Sequence, residues 1–176
     1  KYGKGDLAHQ ILTTPDFPSQ AYVMSKGFTT WPEWQIEWEK MEGPTNSLNH
    51  PMHSGFATYF YEALGGVQTS LEATGFKEFI VNPEFPSQIT STKVSVPTPY
   101  GPINNIWESK DGTLNCHLKV PFNTKAILEL TPSELQTLII NDVSFEEAKA
   151  KYRLKQNGKT NVVLGSGNYK LKYIKS

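Results

Sequence analysis

The stretch DGTLNCHLKV, residues 111–120, decides the fold class of this chain. Its apolar residues Leu114, Cys116, Leu118 and Val120 alternate with polar ones, a period of two that gives a β-strand one buried and one solvated face. The Asp-Gly pair at its start is a strong signal for a two-residue hairpin turn. The stretch therefore predicts the second arm of a β-hairpin, with Cys116 as a buried and unreactive thiol.

The segments after Gly75 follow the same strand-like pattern, with turn residues such as Asn157-Gly158 between them. Regular spacing of short strands is typical of an antiparallel β-sandwich. Phe145 begins a segment expected to form a short helical turn. The further strands are expected at residues 76–81, 126–130, 135–140 and 169–173.

The first 70 or so residues are instead predicted to be helical, at residues 6–12, 19–26 and 51–64. Ser19 is the expected cap of the second helix and Gly27 its stop, while Asn49 or His50 caps the third. Three helices with broad apolar faces do not form a core alone. They either pack on the sandwich or end a larger helical domain. We favour the second alternative and interpret the chain, which opens with Lys1, as a piece of a longer polypeptide.

Composition excludes several classes of function. The chain has 17 Lys+Arg and 17 Asp+Glu residues without a basic block, which disfavours nucleic-acid binding. Its apolar runs fall short of the roughly 18 residues of a membrane span. The single cysteine excludes an internal disulfide and a cysteine-based zinc site.

The stretch GFTTWPEW, residues 27–34, contains the first candidate for chemistry. Glu33 lies between Trp31 and Trp34, and a carboxylate among indole rings is poorly hydrated, which suits a proton acceptor. Clustered aromatic rings also often line sugar sites. The alternatives are an aromatic surface turn and a glutamate that faces water.

The stretch NHPMHSG, residues 49–55, contains the second candidate. His50 and His53 have the spacing of a metal-binding pair, but a third and a fourth ligand are not evident, so we predict no metal. At a helix start, His50 is placed to donate to a substrate hydroxyl. The alternatives are a cap residue for His50 and a helix-face residue for His53.

Four stretches, in this order, carry a resemblance to a known family: residues 6–34, SLNHPMHSGFATYFYEALGGV at 47–67, GFKEFIVNP at 75–83 and GSGNYKL at 165–171. The chain resembles the C-terminal part of bacterial α-L-rhamnosidases of glycoside hydrolase family 78. The resemblance implies an α+β fold class, with terminal helices of an (α/α)6 barrel at residues 1–72 followed by an antiparallel β-sandwich domain at residues 73–176.

The resemblance also implies roles for single residues. Glu33 matches the general base of an inverting hydrolysis, and His50 matches a histidine that lines the −1 subsite and contacts the sugar. Trp31 and Trp34 are expected to shape the pocket, although Trp31-Pro32 departs from the commoner Ile-Trp before the acid. The general acid has no counterpart here, so we expect it in an upstream part of the same polypeptide and expect the fragment alone to be inactive.

The resemblance implies a rhamnose-containing glycoside or polysaccharide as substrate and no cofactor, and it favours a periplasmic or extracellular bacterial location over a cytoplasmic one. A non-catalytic carbohydrate-binding or interaction β-sandwich module is the alternative. Exposed aromatic side chains such as Tyr100 or Trp107 would then carry its function. A third reading is a purely structural domain that seals the end of the barrel.

Overall fold

A computed structural model of the chain describes residues 3–33, 37 and 47–175. The chain forms two compact units, Lys1–Tyr59 and Phe60–Ser176, which are described separately below. The domain boundary that the sequence indicates at residues 72/73 stays a prediction.

The described part of the first unit combines short helices with irregular segments. It contains helices α1 (Gly5–Thr13) and α2 (Gln20–Ser25) and a 3-10 helix (Pro51–Phe56). The predicted cap of α2 is confirmed, because the Ser19 hydroxyl accepts a hydrogen bond from the Tyr22 amide at 2.8 Å. Gly27 follows the helix with a φ of +79°, the left-handed conformation of a helix stop. Throughout the described residues, no helix has the length and apolar character of a bilayer crossing.

The predicted helix over residues 51–64 is confirmed in its bounds, but it is not a regular α-helix. The 3-10 helix ends at Phe56, and a π-helical segment (Tyr59–Leu64) follows, in which the Gly65 amide donates to the Phe60 carbonyl at 2.9 Å. Gly55 lies inside the expected helix and lowers its α-helical propensity. Burial of the predicted apolar positions is uneven, since Met52 is 72% exposed whereas Leu64 is buried.

The second unit is a β-sandwich of a five-stranded and a six-stranded sheet. The strands are β1 (Val67–Thr69), β2 (Glu78–Val81), β3 (Ser91–Val96), β4 (Ile103–Lys110), β5 (Thr113–Val120), β6 (Lys125–Leu128), β7 (Ile139–Ile140), β8 (Val143–Ser144), β9 (Lys155–Asn157), β10 (Asn161–Leu164) and β11 (Gly167–Ile174). The strand order is β1-β2-β6-β10-β9 in the first sheet and β3-β4-β5-β11-β7-β8 in the second. One continuous hydrophobic cluster contains inward side chains of both sheets.

The hairpin predicted from residues 111–120 is confirmed. Strands β4 and β5 pair antiparallel up to Lys110 opposite Thr113, and the two turn residues between them have φ values of +49° and +73°. Positive φ at both central residues is the type I′ geometry that Asp-Gly favours. The expected inward residues of β5, including Cys116, are buried.

The expectation of a wholly antiparallel sandwich needs one correction, because β2 and β6 pair parallel, with Glu78 opposite Lys125. A parallel pair requires a long crossover connection. Here the chain leaves the first sheet after β2, builds the β3-β4-β5 meander of the second sheet and returns as β6.

The prediction of a strand over residues 135–140 is also wrong for most of its length. Helix α3 (Pro132–Thr137) occupies the segment, and only Ile139 and Ile140 are in a strand. The Thr131 hydroxyl accepts from the Glu134 amide, while the Glu134 carboxylate accepts from the Thr131 amide, a capping box that starts a helix. The helical turn predicted near Phe145 is confirmed as α4 (Phe145–Lys151).

Two side chains of β4 hold the chain segment that enters the sandwich. The Trp107 indole donates to the Leu64 carbonyl at 2.6 Å, and the Asn105 amide donates to the Gly65 carbonyl at 2.8 Å. Both side chains are fully buried, with Trp107 only 1% exposed. The prediction of Trp107 as an exposed aromatic is therefore wrong, because inward alternation along β4 places it in the core.

We expect Trp107→Phe to lower the free energy of unfolding by about 2–4 kcal/mol, because it opens a void and leaves the Leu64 carbonyl buried without its donor. Urea unfolding followed by circular dichroism measures the change. Ile106→Ala, at the neighbouring outward position, is the control and should cost less than about 1 kcal/mol. Equal losses in the two variants would contradict the anchoring role.

Burial raises the pKa of the Cys116 thiol from 9.0 to about 12, and the thiol donates to the side-chain oxygen Oδ1 of Asn105 at 2.8 Å. The unfolded chain releases this proton at lower pH than the folded chain does. Stability should therefore be intact below pH 9 and fall as the pH rises from 9 towards 12, by about 1.4 kcal/mol at pH 10. Urea titrations of the native chain and of Cys116→Ser at pH 8 and pH 10 test this expectation, and an equal alkaline loss in both would contradict it.

Candidate functional site

The candidate site lies in the first unit, where two segments distant in sequence run beside each other. The Glu33 amide donates to the Ser47 carbonyl at 2.8 Å, and the His50 amide donates to the Trp31 carbonyl at 2.7 Å. The Thr30 hydroxyl also donates to the Leu48 carbonyl. These bonds place residues 30–33 and 47–50 side by side.

Two prolines favour this local conformation. Pro51 follows His50, and a residue before proline is driven into the extended region, where His50 lies with φ −118° and ψ 94°. Pro32 restricts Trp31 in the same way and has no amide hydrogen, so the pairing uses the carbonyl of Trp31 and the amide of Glu33. The helix that Pro51 begins leaves the His50 side chain out of any capping hydrogen bond.

The pairing brings together the side chains of Glu33 and His50. Glu33 Oε1 lies 3.7 Å from His50 Nδ1, and the two side chains are 37% and 31% exposed. This separation is longer than a hydrogen bond but within the range of an ion pair when the imidazole is protonated. His50 Nδ1 itself is buried and has no hydrogen-bond partner among the described residues.

The contact with the Glu33 carboxylate favours one tautomer of the neutral His50 imidazole. A neutral ring that turns a lone pair towards a carboxylate is repelled, whereas an N–H in that position is attracted. We therefore assign the hydrogen of the neutral His50 ring to Nδ1, facing Glu33. In that tautomer the second ring nitrogen, Nε2, carries the lone pair.

Aromatic rings fix the surroundings of this pair. The rings of Trp31 and Phe56 pack edge to face, with centroids 4.8 Å apart, and the rings of His50 and His53 do so at 5.6 Å. Trp31 thus lies beside the pair, because its carbonyl accepts from the His50 amide and its ring packs against Phe56. Trp34, the other predicted pocket residue, lies outside the described residues.

Sequence patterns alone do not find two parts of this arrangement. Phe56 is visible only as a member of a helical apolar face, and its contact with Trp31 joins residues 25 positions apart. Ser47 contributes through its backbone, which leaves no signal in side-chain type. Within the part of the chain that the structure describes, no three His, Cys, Asp or Glu side chains form a group able to hold a metal ion.

Comparison with known proteins identifies a family-model match and close relatives. Residues 66–141 match the model of the bacterial alpha-L-rhamnosidase C-terminal domain. An alpha-L-rhamnosidase from Formosa agariphila is 61% identical over 175 residues, which cover 99% of this chain and 18% of the relative. This chain therefore spans less than a fifth of that relative's length.

Two solved structures share the fold. An alpha-L-rhamnosidase from Streptomyces avermitilis, complexed with L-rhamnose, matches with a TM-score of 0.76 and 22% identity over 95% of this chain and 16% of that one. An alpha-L-rhamnosidase from Dictyoglumus thermophilum matches with a TM-score of 0.77 and 23% identity over 99% of this chain and 19% of that one. At these identities the likeness is one of fold.

Proposed function

Because this chain carries the C-terminal domain of the bacterial alpha-L-rhamnosidase family, we propose that it is the C-terminal part of an inverting α-L-rhamnosidase. The proposed reaction is hydrolysis of terminal α-L-rhamnosyl residues from glycosides or polysaccharides. The observation that carries this proposal is the 3.7 Å approach of the Glu33 carboxylate to the His50 imidazole.

In this proposal Glu33 is the general base. Its carboxylate takes a proton from a water molecule, whose oxygen forms a bond to the anomeric carbon as the bond to the leaving oxygen breaks on the opposite face. The leaving oxygen receives a proton from a second carboxylic acid, so charge and protons balance. Partial exposure of Glu33 supports the role, because the carboxylate must reach both water and sugar.

His50 orients the sugar and the base in this proposal. With the hydrogen on Nδ1 facing Glu33, the ring restrains the carboxylate and presents Nε2 as an acceptor for a sugar hydroxyl. Trp31 supplies an apolar wall whose position is fixed by Phe56. Trp34 keeps its proposed pocket role from the resemblance alone.

We further propose that the helical unit is the end of an (α/α)6 catalytic barrel. Its apolar side chains Leu7, Ile11 and Met24 are exposed, although apolar helix faces normally pack against other elements. The upstream part of the same polypeptide would cover them and supply the general acid, at the roughly 6.5–9.5 Å carboxyl separation of inverting enzymes. The 176-residue chain alone would then be inactive.

We expect Glu33→Gln, made in the longer enzyme that contains this chain, to lower kcat for an aryl α-L-rhamnoside by about 10²–10⁴-fold. The amide has nearly the shape of the carboxylate but does not accept the proton from water. Initial rates at saturating substrate give the change. Glu72→Gln, at an exposed position of the second unit, is the matched control and should retain normal turnover.

Near-normal turnover of the Glu33→Gln enzyme would refute the assignment of the base. The alternative of a non-catalytic sugar-binding module is weakened by the burial of Trp107 and by the Lys77 ammonium 5.2 Å from the ring centroid of Tyr100. Rhamnose binding to this chain that survives replacement of Trp31, Glu33 and His50 would restore that alternative.

A further inference from the structure

The outward face of the six-stranded sheet carries a groove remote in sequence from Glu33 and His50. Two adjoining cavities of about 510 and 280 Å3 make up the groove, and His117, Asp142 and Lys170 line both. All of these residues belong to the second unit.

Strand register explains the composition of the groove floor. Lys119 of β5 lies between Asn104 of β4 and Asn168 of β11, and His117 lies between Ile106 and Lys170 in the next row. Directly opposed residues share one face with their Cβ atoms about 5 Å apart, so each row forms one contiguous strip. A third row places Asn115 between Glu108 of β4 and Lys172 of β11.

A turn closes one side of the groove. Asn141 and Asp142 connect β7 and β8, both with positive φ. The Asn141 amide donates to the Lys170 carbonyl, and its side-chain oxygen accepts from the Lys170 amide, each at 2.8 Å. These bonds hold the turn against β11 and fix Asp142 at the groove.

The groove is basic although the whole chain has no net charge. Three lysines, Lys119, Lys170 and Lys172, line it against one carboxylate, Asp142. Lys93, opposite Ile106, and Glu108, opposite Asn115, stand on the same face of the sheet and add one charge of each sign beside the groove. Among residues 3–33, 37 and 47–175, no carboxylate lies within ion-pair distance of the three groove ammonium groups.

We propose that this groove binds an acidic polysaccharide through uronate carboxylates or sulfate esters. Exposed ammonium groups beside side-chain amides and an imidazole provide donors for anionic and hydroxyl oxygens. The choice of a saccharide rests on the proposed function. The Tyr169 ring packs on the core and its hydroxyl donates to the Gly165 carbonyl, so it is not a stacking platform for a neutral sugar or a nucleobase.

Binding of this chain to three probes, polygalacturonate, dextran sulfate and neutral dextran, tests the proposal by affinity electrophoresis. We expect retardation by one or both anionic probes and none by neutral dextran, and the two anionic probes distinguish carboxylate from sulfate recognition. Replacing Lys119, Lys170 and Lys172 by Gln should weaken binding about tenfold. The matched control replaces three exposed lysines of the other sheet and its connecting turn, Lys125, Lys155 and Lys159, by Gln.

Equal weakening by the two triple variants would overturn the assignment of the groove as the binding site. Failure of both anionic probes to bind would overturn it as well. Retardation by a double-stranded DNA fragment as strong as that by the polysaccharides would overturn the saccharide assignment. In the longer enzyme, the groove variant should hydrolyse a small aryl rhamnoside normally. The activity of the Glu33→Gln enzyme is a separate measurement. The proposed catalytic function and the proposed groove can therefore be refuted independently.

Discussion

The fold of the second unit follows from two hydrogen bonds that β4 makes to the chain segment just before β1. Trp107 and Asn105 each bind one backbone carbonyl, of Leu64 and Gly65, in the interior of the sandwich. No larger residue fits at Gly65, where a Cβ atom would lie 2.7 Å from the Val94 side chain. Buried donors, buried carbonyls and a close backbone approach thus fix the start of β1 and, through it, the first sheet.

Backbone hydrogen bonds also position the candidate site in the first unit. Two amide-to-carbonyl hydrogen bonds hold Glu33 and His50 close to each other. Pro32 precedes Glu33 and Pro51 follows His50, so each proline restricts the backbone beside one of these bonds. Their side chains remain partly exposed, and His50 Nδ1 has no hydrogen-bond partner among the described residues, whereas Trp107 and Asn105 have theirs. Groups that are held in place but not saturated are those that can bind and react with a ligand.

Local chemistry made some elements predictable and left others hidden. Asp111-Gly112 encodes its hairpin within two residues, and Ser19 encodes the start of α2. The parallel pairing of β2 with β6 joins residues more than 40 positions apart, so no local pattern reports it. In α3, the Thr131–Glu134 capping box signals a helix, whereas the apolar residues that follow it favour a strand.

The candidate site and the groove also depend on residues that are far apart in sequence, which local patterns do not connect. The approach of Glu33 to His50 followed from the family resemblance, since nothing local links residues 17 positions apart. The basic groove arises from register, which aligns lysines of β5 and β11 that are about 50 residues apart in sequence. Charge counts along the chain miss it, because Lys+Arg and Asp+Glu balance at 17 each.

A crystal structure of the longer enzyme with L-rhamnose bound would show whether Glu33 and His50 face the sugar. We expect a Glu33 oxygen about 2.6–3.2 Å from a water that faces the anomeric carbon, with His50 Nε2 on a sugar hydroxyl. Rhamnose bound in the barrel with Glu33 turned to bulk solvent, or with His50 directed away from the sugar, would contradict this expectation.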